Sequence, residues 1–176
     1  ATAFWRAAQS GDLEAMKLLV AYGADPAIAT QVVPRRRLPN GRNADRDLEI
    51  VIPEIGDPAV DALQAAAGAG YDGNFHVTHP QGRMPAVRYL VEELGFDVNR
   101  ADDQGYTPLH NAAARGDNDM ILFLVEHGAD VTAVSHAGET TADMANGPVQ
   151  RIQPFPETVA LLESLGSENN DNCVSC

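Results

Sequence analysis

Gly105-Tyr106-Thr107-Pro108-Leu109-His110-Asn111-Ala112-Ala113-Ala114-Arg115-Gly116-Asp117, followed by Leu124-Val125-Glu126-His127-Gly128-Ala129-Asp130, is the stretch of sequence that decides the fold. Thr107 is a suitable N-cap, because its side-chain oxygen can accept a hydrogen bond from a free N–H at a helix start. Pro108 suits the first helical position, where its missing N–H does no harm. A short helix is therefore predicted to begin at Thr107.

A second helix is predicted between the two parts of this stretch. Residues 120–125 are all apolar, a density too high for a helix with one side in water, so we expect this helix to lie between neighbours. Gly128 then ends the helix, since glycine readily adopts the left-handed conformation that a helix end commonly requires. The unit is thus interpreted as two antiparallel helices and a turn.

Similar units occur elsewhere in the chain. They are marked by Ala7–Asp12 with Tyr22–Asp25, by Ala66–Gly70 with Leu90–Asn99, and by Gly138–Ala145 with Leu161–Gly166. Gly105 and Gly138 are 33 residues apart. The other intervals are longer, which indicates insertions.

These units resemble the repeats of ankyrin-repeat proteins, which have a period of 33 residues. The resemblance implies an all-α ankyrin-repeat solenoid of about four helix-turn-helix repeats with two long loop insertions. We expect the repeat domain at residues 1–166, with a polar tail at 167–176 that ends in Cys-x-x-Cys. The repeats are placed at about 1–30, 61–101, 102–134 and 135–166, and the insertions at about 31–60 and 72–82.

Composition restricts the class of partner. Of the 176 residues, 25 are acidic and 12 are basic, so the net charge of −13 argues against binding to nucleic acid or to an anionic membrane. No stretch approaches the roughly 20 apolar residues needed to cross a bilayer, so no membrane insertion is expected. Ala1–Trp5 aligns inside the opening turn of a repeat, so we expect further sequence upstream, and the lack of a signal peptide is uninformative.

The first insertion concentrates positive charge: Arg35, Arg36, Arg37, Arg42 and Arg46. One interpretation is electrostatic recognition of an acidic patch on a protein partner, because guanidinium groups form bidentate pairs with carboxylates. The other is a solvated surface loop. The arginines lack interleaved aromatic residues, which disfavours a nucleic-acid site. In the same insertion, Leu48–Ile52 is predicted to form a short strand.

The second insertion contains Asp72, His76 and His79, which are possible metal ligands. Three such residues in a loop rich in Gly, Asn and Pro are a weak metal signal, and the helix-turn-helix unit needs no metal. We expect ordinary loop hydrogen bonding and no metal or cofactor there.

The resemblance implies which residues face a partner on the concave side of the repeats. They are Ala101, Asp103, Gln104 and Tyr106 on one finger, Asn111 and Arg115 on a first helix, and Val134, His136, Ala137 and Glu139 on the next finger. Tyr106 is the strongest candidate, because large amphipathic side chains are enriched at interfaces. His110 is implied to make structural hydrogen bonds between adjacent turns. Trp5 occupies the matching position, and we expect either an exposed anchor or packing against an upstream segment.

The C-terminal region carries two further expectations. Phe155 and Ile152 are predicted to cover the end of the stack. Cys173 and Cys176 are the chain's two cysteines; they could form a disulfide, carry a cofactor or be incidental. Cysteines confined to one exposed pair favour an exported protein over a cytoplasmic one.

The functional hypothesis is a noncatalytic scaffold that binds a protein partner through its concave face, fingers and inserted loops. The alternative is a redox or electron-transfer accessory protein whose Cys-x-x-Cys tail carries a cofactor or a disulfide. The sequence lacks a nucleophile-elbow pattern, a phosphate loop and a helical pair of metal ligands. An enzyme is therefore not expected.

Overall fold

The computed structural model describes residues 1–32, 54–69, 82–147 and 154–170. Regular structure within these ranges is helical, with two isolated β-bridges, Gln31–Pro58 and Val134–Thr140. The helices are α1 (Ala3–Ser10), α2 (Leu13–Ala21), α3 (Ala62–Ala67), α4 (Met84–Arg88) with a π-helical continuation (Tyr89–Glu93), α5 (Pro108–Ala113), α6 (Asn118–Glu126), α7 (Thr141–Ala145) and α8 (Pro156–Leu165). The predicted all-α class is confirmed.

The helices form a row of antiparallel pairs. The first helices α1, α3, α5 and α7 pack side by side in that order, and α1, α5 and α7 each pack against the second helix that follows. Small side chains make this spacing possible: Ala112 and Ala113 on α5 are fully buried, as are Ala66 and Ala67 on α3. The core therefore runs along the whole stack, as expected for a repeat protein whose units bury apolar surface only against one another.

The ends of α5 and α6 lie where the local sequence predicted them, whereas the burial of α6 differs at one position. Thr107 and Pro108 begin the preceding helix α5 as predicted, and α6 ends before Gly128, whose φ of 90° is in the left-handed region. Four of its apolar side chains are buried: Met120, Ile121, Phe123 and Leu124. Leu122 is 48% exposed, so the predicted burial on two sides is wrong for this one position.

The second repeat contains one extra residue. The two glycines that bracket the second helix are 12 residues apart in the first and third repeats but 13 apart in the second, from Gly82 to Gly95. The surplus residue is accommodated as the π-helical turn Tyr89–Glu93, the usual outcome of a single insertion in an α-helix. Tyr89 and Leu90 thereby stay buried, so the core is preserved.

Phe155 does not cover the outer end of the stack, as the sequence suggested. Its ring lies against Gly116 in the turn of the preceding repeat, where a Cβ added to the glycine would lie 2.5 Å from the ring. The backbone N–H of Phe155 donates to the carbonyl of Ala145 at 2.9 Å, which fixes this position. The outer face of α7 is contacted instead by Ser167–Asn170, the first residues of the expected tail.

Several predictions fall outside the described residues. These are the strand at Leu48–Ile52, the arginines of the first insertion (Arg35, Arg36, Arg37, Arg42, Arg46), the group Asp72, His76 and His79, Ile152, and the pair Cys173 and Cys176. In the described segments, no helix is long and apolar enough to cross a bilayer.

Candidate partner-binding surface

The loop between the second and third repeats forms a tight finger. Asp102 builds it, because its carboxylate accepts hydrogen bonds from the N–H groups of Gln104 and Tyr106 at 2.8 and 2.9 Å. The backbone N–H of Asp102 also donates to the carbonyl of Tyr106 at 2.9 Å. Burial raises the pKa of Asp102, although the two N–H donors partly offset this effect. The finger tip is thus held by its own backbone.

The next finger, between α6 and α7, has the same layout with different chemistry. The hydroxyl oxygen of Ser135 accepts from the N–H groups of Ala137 and Glu139 at 3.3 and 3.2 Å. The Ser135 N–H donates to the Glu139 carbonyl at 2.9 Å, and Val134 bridges to Thr140. A serine here therefore does the work that Asp102 does in the preceding finger.

The two fingers are joined to each other. The His136 N–H donates to the Gln104 carbonyl at 2.9 Å, and the hydroxyl of Tyr106 donates to the Glu139 carboxylate. Gly105 makes this close approach possible, since a Cβ at that position would lie 2.7 Å from the His136 nitrogen. Burial, followed by the bond to Glu139, raises the pKa of Tyr106. Tyr106 therefore remains a neutral donor in this link.

A second set of contacts ties successive repeats together at the base of the fingers. It involves N3, the third residue after the N-cap of each first helix. At this position Trp5 donates its indole N–H to the carbonyl of Val60 at 3.0 Å, and His110 lies 3.3 Å from the carbonyl of Glu139. Gln64 does the same toward Tyr106 at 3.3 Å. In each case the acceptor is the residue just before the N-cap of the next repeat.

His110 makes the structural contacts that the resemblance implied. Its Nδ1 accepts from the Thr107 N–H at 3.2 Å, so the ring proton resides on Nε2, which donates to Glu139. Burial lowers the pKa of His110 to about 4. The neutral imidazole is thus the form that the folded protein requires.

Most of the sequence-predicted contact residues meet on these two fingers. Gln104 and Val134 are exposed, and Asp103, Tyr106, His136 and Glu139 are half-buried. We call this set of six residues the finger surface. Ala101 and Ala137 are exposed beside it.

The exposure expected of two helix residues is corrected by the structure. Asn111 is buried, and its side-chain amide donates to the Thr107 carbonyl at 3.2 Å. Arg115 has a side chain only 15% exposed; it packs over Gly68 and donates to the Ala67 carbonyl at 3.2 Å. Both side chains are engaged within the stack rather than presented on its surface.

Trp5 is likewise not an exposed anchor. It is 7% exposed and turns toward the following repeat, where Val60 accepts its N–H. Sequence reasoning missed the equivalent role of Gln64. The spacing of Asp61 and Gln64 is that of a capping box, and both reciprocal hydrogen bonds are present. This spacing was the available signal.

The described residues contain no cluster of three or more His, Cys, Asp or Glu side chains placed to hold a metal ion. The polar side chains of the fingers instead form hydrogen bonds with one another or with the backbone. What the arrangement offers chemically is a largely polar surface of two linked fingers, with one half-buried aromatic side chain, Tyr106.

Comparison with known protein families agrees with the repeat architecture. Residues 63–125 match the family profile described as "Ankyrin repeats (many copies)", and residues 1–31 match that described as "Ankyrin repeat".

Three proteins with similar sequences differ from one another in name. BCL-6 corepressor-like protein 1 of Homo sapiens is 33% identical over 106 residues, covering 60% of this chain and 5% of the relative. Palmitoyltransferase akr1 of Aspergillus oryzae is 43% identical over 61 residues, covering 35% of this chain and 8% of the relative. Protein phosphatase 1 regulatory subunit 12A of Mus musculus is 38% identical over 72 residues, covering 41% of this chain and 7% of the relative.

This chain spans less than a tenth of the length of these relatives. The likeness therefore concerns the repeats and not the relatives' individual activities. The helical pairs, the contacts between repeats and the matching profiles agree: the chain belongs to the ankyrin-repeat proteins, whose repeats generally mediate protein–protein interaction and are generally noncatalytic.

Proposed function

We propose that this chain is a noncatalytic scaffold that binds a protein partner through the finger surface. The observation that carries the proposal is the double link between the fingers, from His136 to Gln104 and from Tyr106 to Glu139. These bonds fix two loops that would otherwise be mobile. Because the loops are already ordered, binding of a partner there costs little of their conformational entropy, which favours binding at a given contact area.

The exposure pattern supports the same proposal. Val134 is 53% exposed although it is aliphatic, and Gln104 at the tip of the neighbouring finger is exposed. Tyr106 is half-buried beside them, with its hydroxyl bonded to Glu139 and its ring edge-to-face against His110. An aromatic residue with a polar surround is typical of the anchor regions of protein interfaces.

The first insertion is proposed to add a contact to an acidic patch of the partner through Arg35, Arg36 and Arg37. Its described ends support this placement. Thr30 donates to the carbonyl of Val60 at 2.9 Å, so the insertion leaves the stack from the finger that precedes α3. Val60 stands just before an N-cap, as Tyr106 and Glu139 do at the other two fingers. The insertion therefore starts at a finger equivalent to the two that form the finger surface, one repeat earlier in the stack.

Two matched substitutions test the proposal. Val134→Arg changes an exposed aliphatic residue on a finger, and Leu122→Arg changes one of similar exposure on α6. The partner is first isolated with the intact chain as bait, and its dissociation constant is then measured for each variant. We expect Val134→Arg to weaken binding by tenfold or more and Leu122→Arg to have little effect. Equal effects, or an effect of Leu122→Arg alone, would place the interface elsewhere.

A further inference from the structure

The last repeat departs from the others at the N3 position. The earlier first helices carry Trp5, Gln64 or His110 there, and each of these side chains has an N–H to donate to the next repeat. Helix α7 carries Asp143 instead, and its carboxylate can only accept hydrogen bonds when ionised. Asp143 therefore cannot make the contact with a following carbonyl that links the other repeats.

Asp143 is nevertheless fully buried and satisfied. It accepts from the backbone N–H of Asn170 at 2.8 Å and from the side-chain amide of the same residue at 2.9 Å. The Thr140 N–H also donates to the Asp143 carboxylate, at 3.0 Å. The polarity of the N3 contact is thus reversed, with the donor supplied by the segment that follows α8.

That segment makes three more hydrogen-bond contacts with α7 and its N-cap. Ser167 is 6% exposed, and its hydroxyl oxygen accepts from the Ala142 N–H at 3.1 Å and lies 2.8 Å from the hydroxyl oxygen of Thr141. The Thr140 hydroxyl donates to the carbonyl of Glu168. Gly166 directs the chain into this position, because its φ of 107° reverses the backbone at the end of α8.

We infer that Ser167–Asn170 is a strap that closes the last repeat by occupying the place where a following repeat would dock. The strap belongs to the folded unit, which extends beyond the repeat boundary at Gly166. Release of the strap removes both Asn170 donors from Asp143 and the acceptor of the Ala142 N–H, so we expect the start of α7 to open more easily when the strap is free. The segment that contains Cys173 and Cys176 starts directly after this anchor.

Point variants of the full chain test the strap. Ser167→Ala removes the acceptor for the Ala142 N–H, and Asn170→Ala removes one donor to Asp143. Ser164→Ala is the matched control, since this exposed serine donates only to the Leu161 carbonyl of its own helix, at 2.6 Å. The readouts are the hydrogen-exchange rate of the Ala142 amide and the Tm. For Ser167→Ala we expect exchange about tenfold faster or more and a Tm lower by about 3 °C or more, with almost no change for Ser164→Ala.

Truncation gives a second test. A chain that ends at Asn170 should keep the Tm and the slow Ala142 exchange of the intact chain, whereas one that ends at Gly166 should lose both. Unchanged values for the chain ending at Gly166 would overturn the inference. If that chain does not fold, the comparison of Ser167→Ala with Ser164→Ala decides. None of these readouts requires a partner, so their failure leaves the proposed binding function untouched.

Discussion

Replacement of His110 by glutamine should remove a large part of the acid sensitivity of this protein without breaking the contact between repeats. The second repeat already shows that glutamine fits the position. Gln64 accepts from the Asp61 N–H at 2.8 Å through Oε1 and donates to Tyr106 through its amide. His110→Gln is therefore expected to keep both the capping contact and the link to Glu139 at neutral pH.

The magnitude follows from the pKa of His110. Burial lowers this pKa to about 4, below the value of about 6.5 expected in the unfolded chain. Between these values the unfolded state binds a proton that the folded state refuses, so the stability is fully present above about pH 6.5 and falls as the pH drops toward 4. At about 1.36 kcal/mol per pKa unit, the loss between pH 7 and 4.5 is roughly 2 to 3 kcal/mol.

Urea unfolding at pH 7 and pH 4.5 measures this loss. Asp61 and Asp102 have pKa values raised by burial and contribute with the opposite sign, but they are present in every variant compared. His127→Gln is the control, because that histidine is exposed. The intact chain and His127→Gln should lose roughly 2 to 3 kcal/mol more than His110→Gln. An equal loss in His110→Gln would refute the reasoning, since the titrating group would then lie elsewhere.

Two further predictions concern packing between repeats. Trp5→Phe keeps the ring but removes the N–H that binds Val60, so the free energy of unfolding should fall by about 1 kcal/mol in urea titrations; no change would show that the bond contributes nothing. Gly116→Ala should be more destabilising than Gly128→Ala by roughly 1 to 3 kcal/mol, because both glycines have positive φ but only a Cβ added at Gly116 would meet a ring, 2.5 Å from that of Phe155. Equal losses in thermal unfolding would contradict this.

The parts of the fold that the sequence predicted are those that depend on local chemistry. Thr107, Pro108 and Gly128 define the ends of their helices through their own backbone preferences, so their roles could be read without knowledge of the neighbours. The repeat spacing then placed the first helices side by side. The π-helical turn at Tyr89–Glu93 was not predicted, although the one extra residue between the glycines of the second repeat was a signal for it.

The features that could not be predicted depend on contacts between units. Asn111 and Arg115 occupy helix positions that the family pattern presents to a partner, but here they bind the backbone of their own or the preceding repeat. The bond from Tyr106 to Glu139 joins residues 33 positions apart, and nothing in either local sequence specifies it. Ser167–Asn170 has no apolar periodicity, so it was indistinguishable from a solvated tail.

The central claim, that the finger surface binds a protein partner, is tested most directly by site-specific photocrosslinking in native extract. A crosslinking residue is placed at Gln104 on the finger surface and, as the control, at Glu126, an exposed position at the end of α6. We predict one defined protein adduct from Gln104 that unlabelled intact chain competes away, and none from Glu126. Adducts from Glu126 alone, or the same adducts from both positions, would contradict the account.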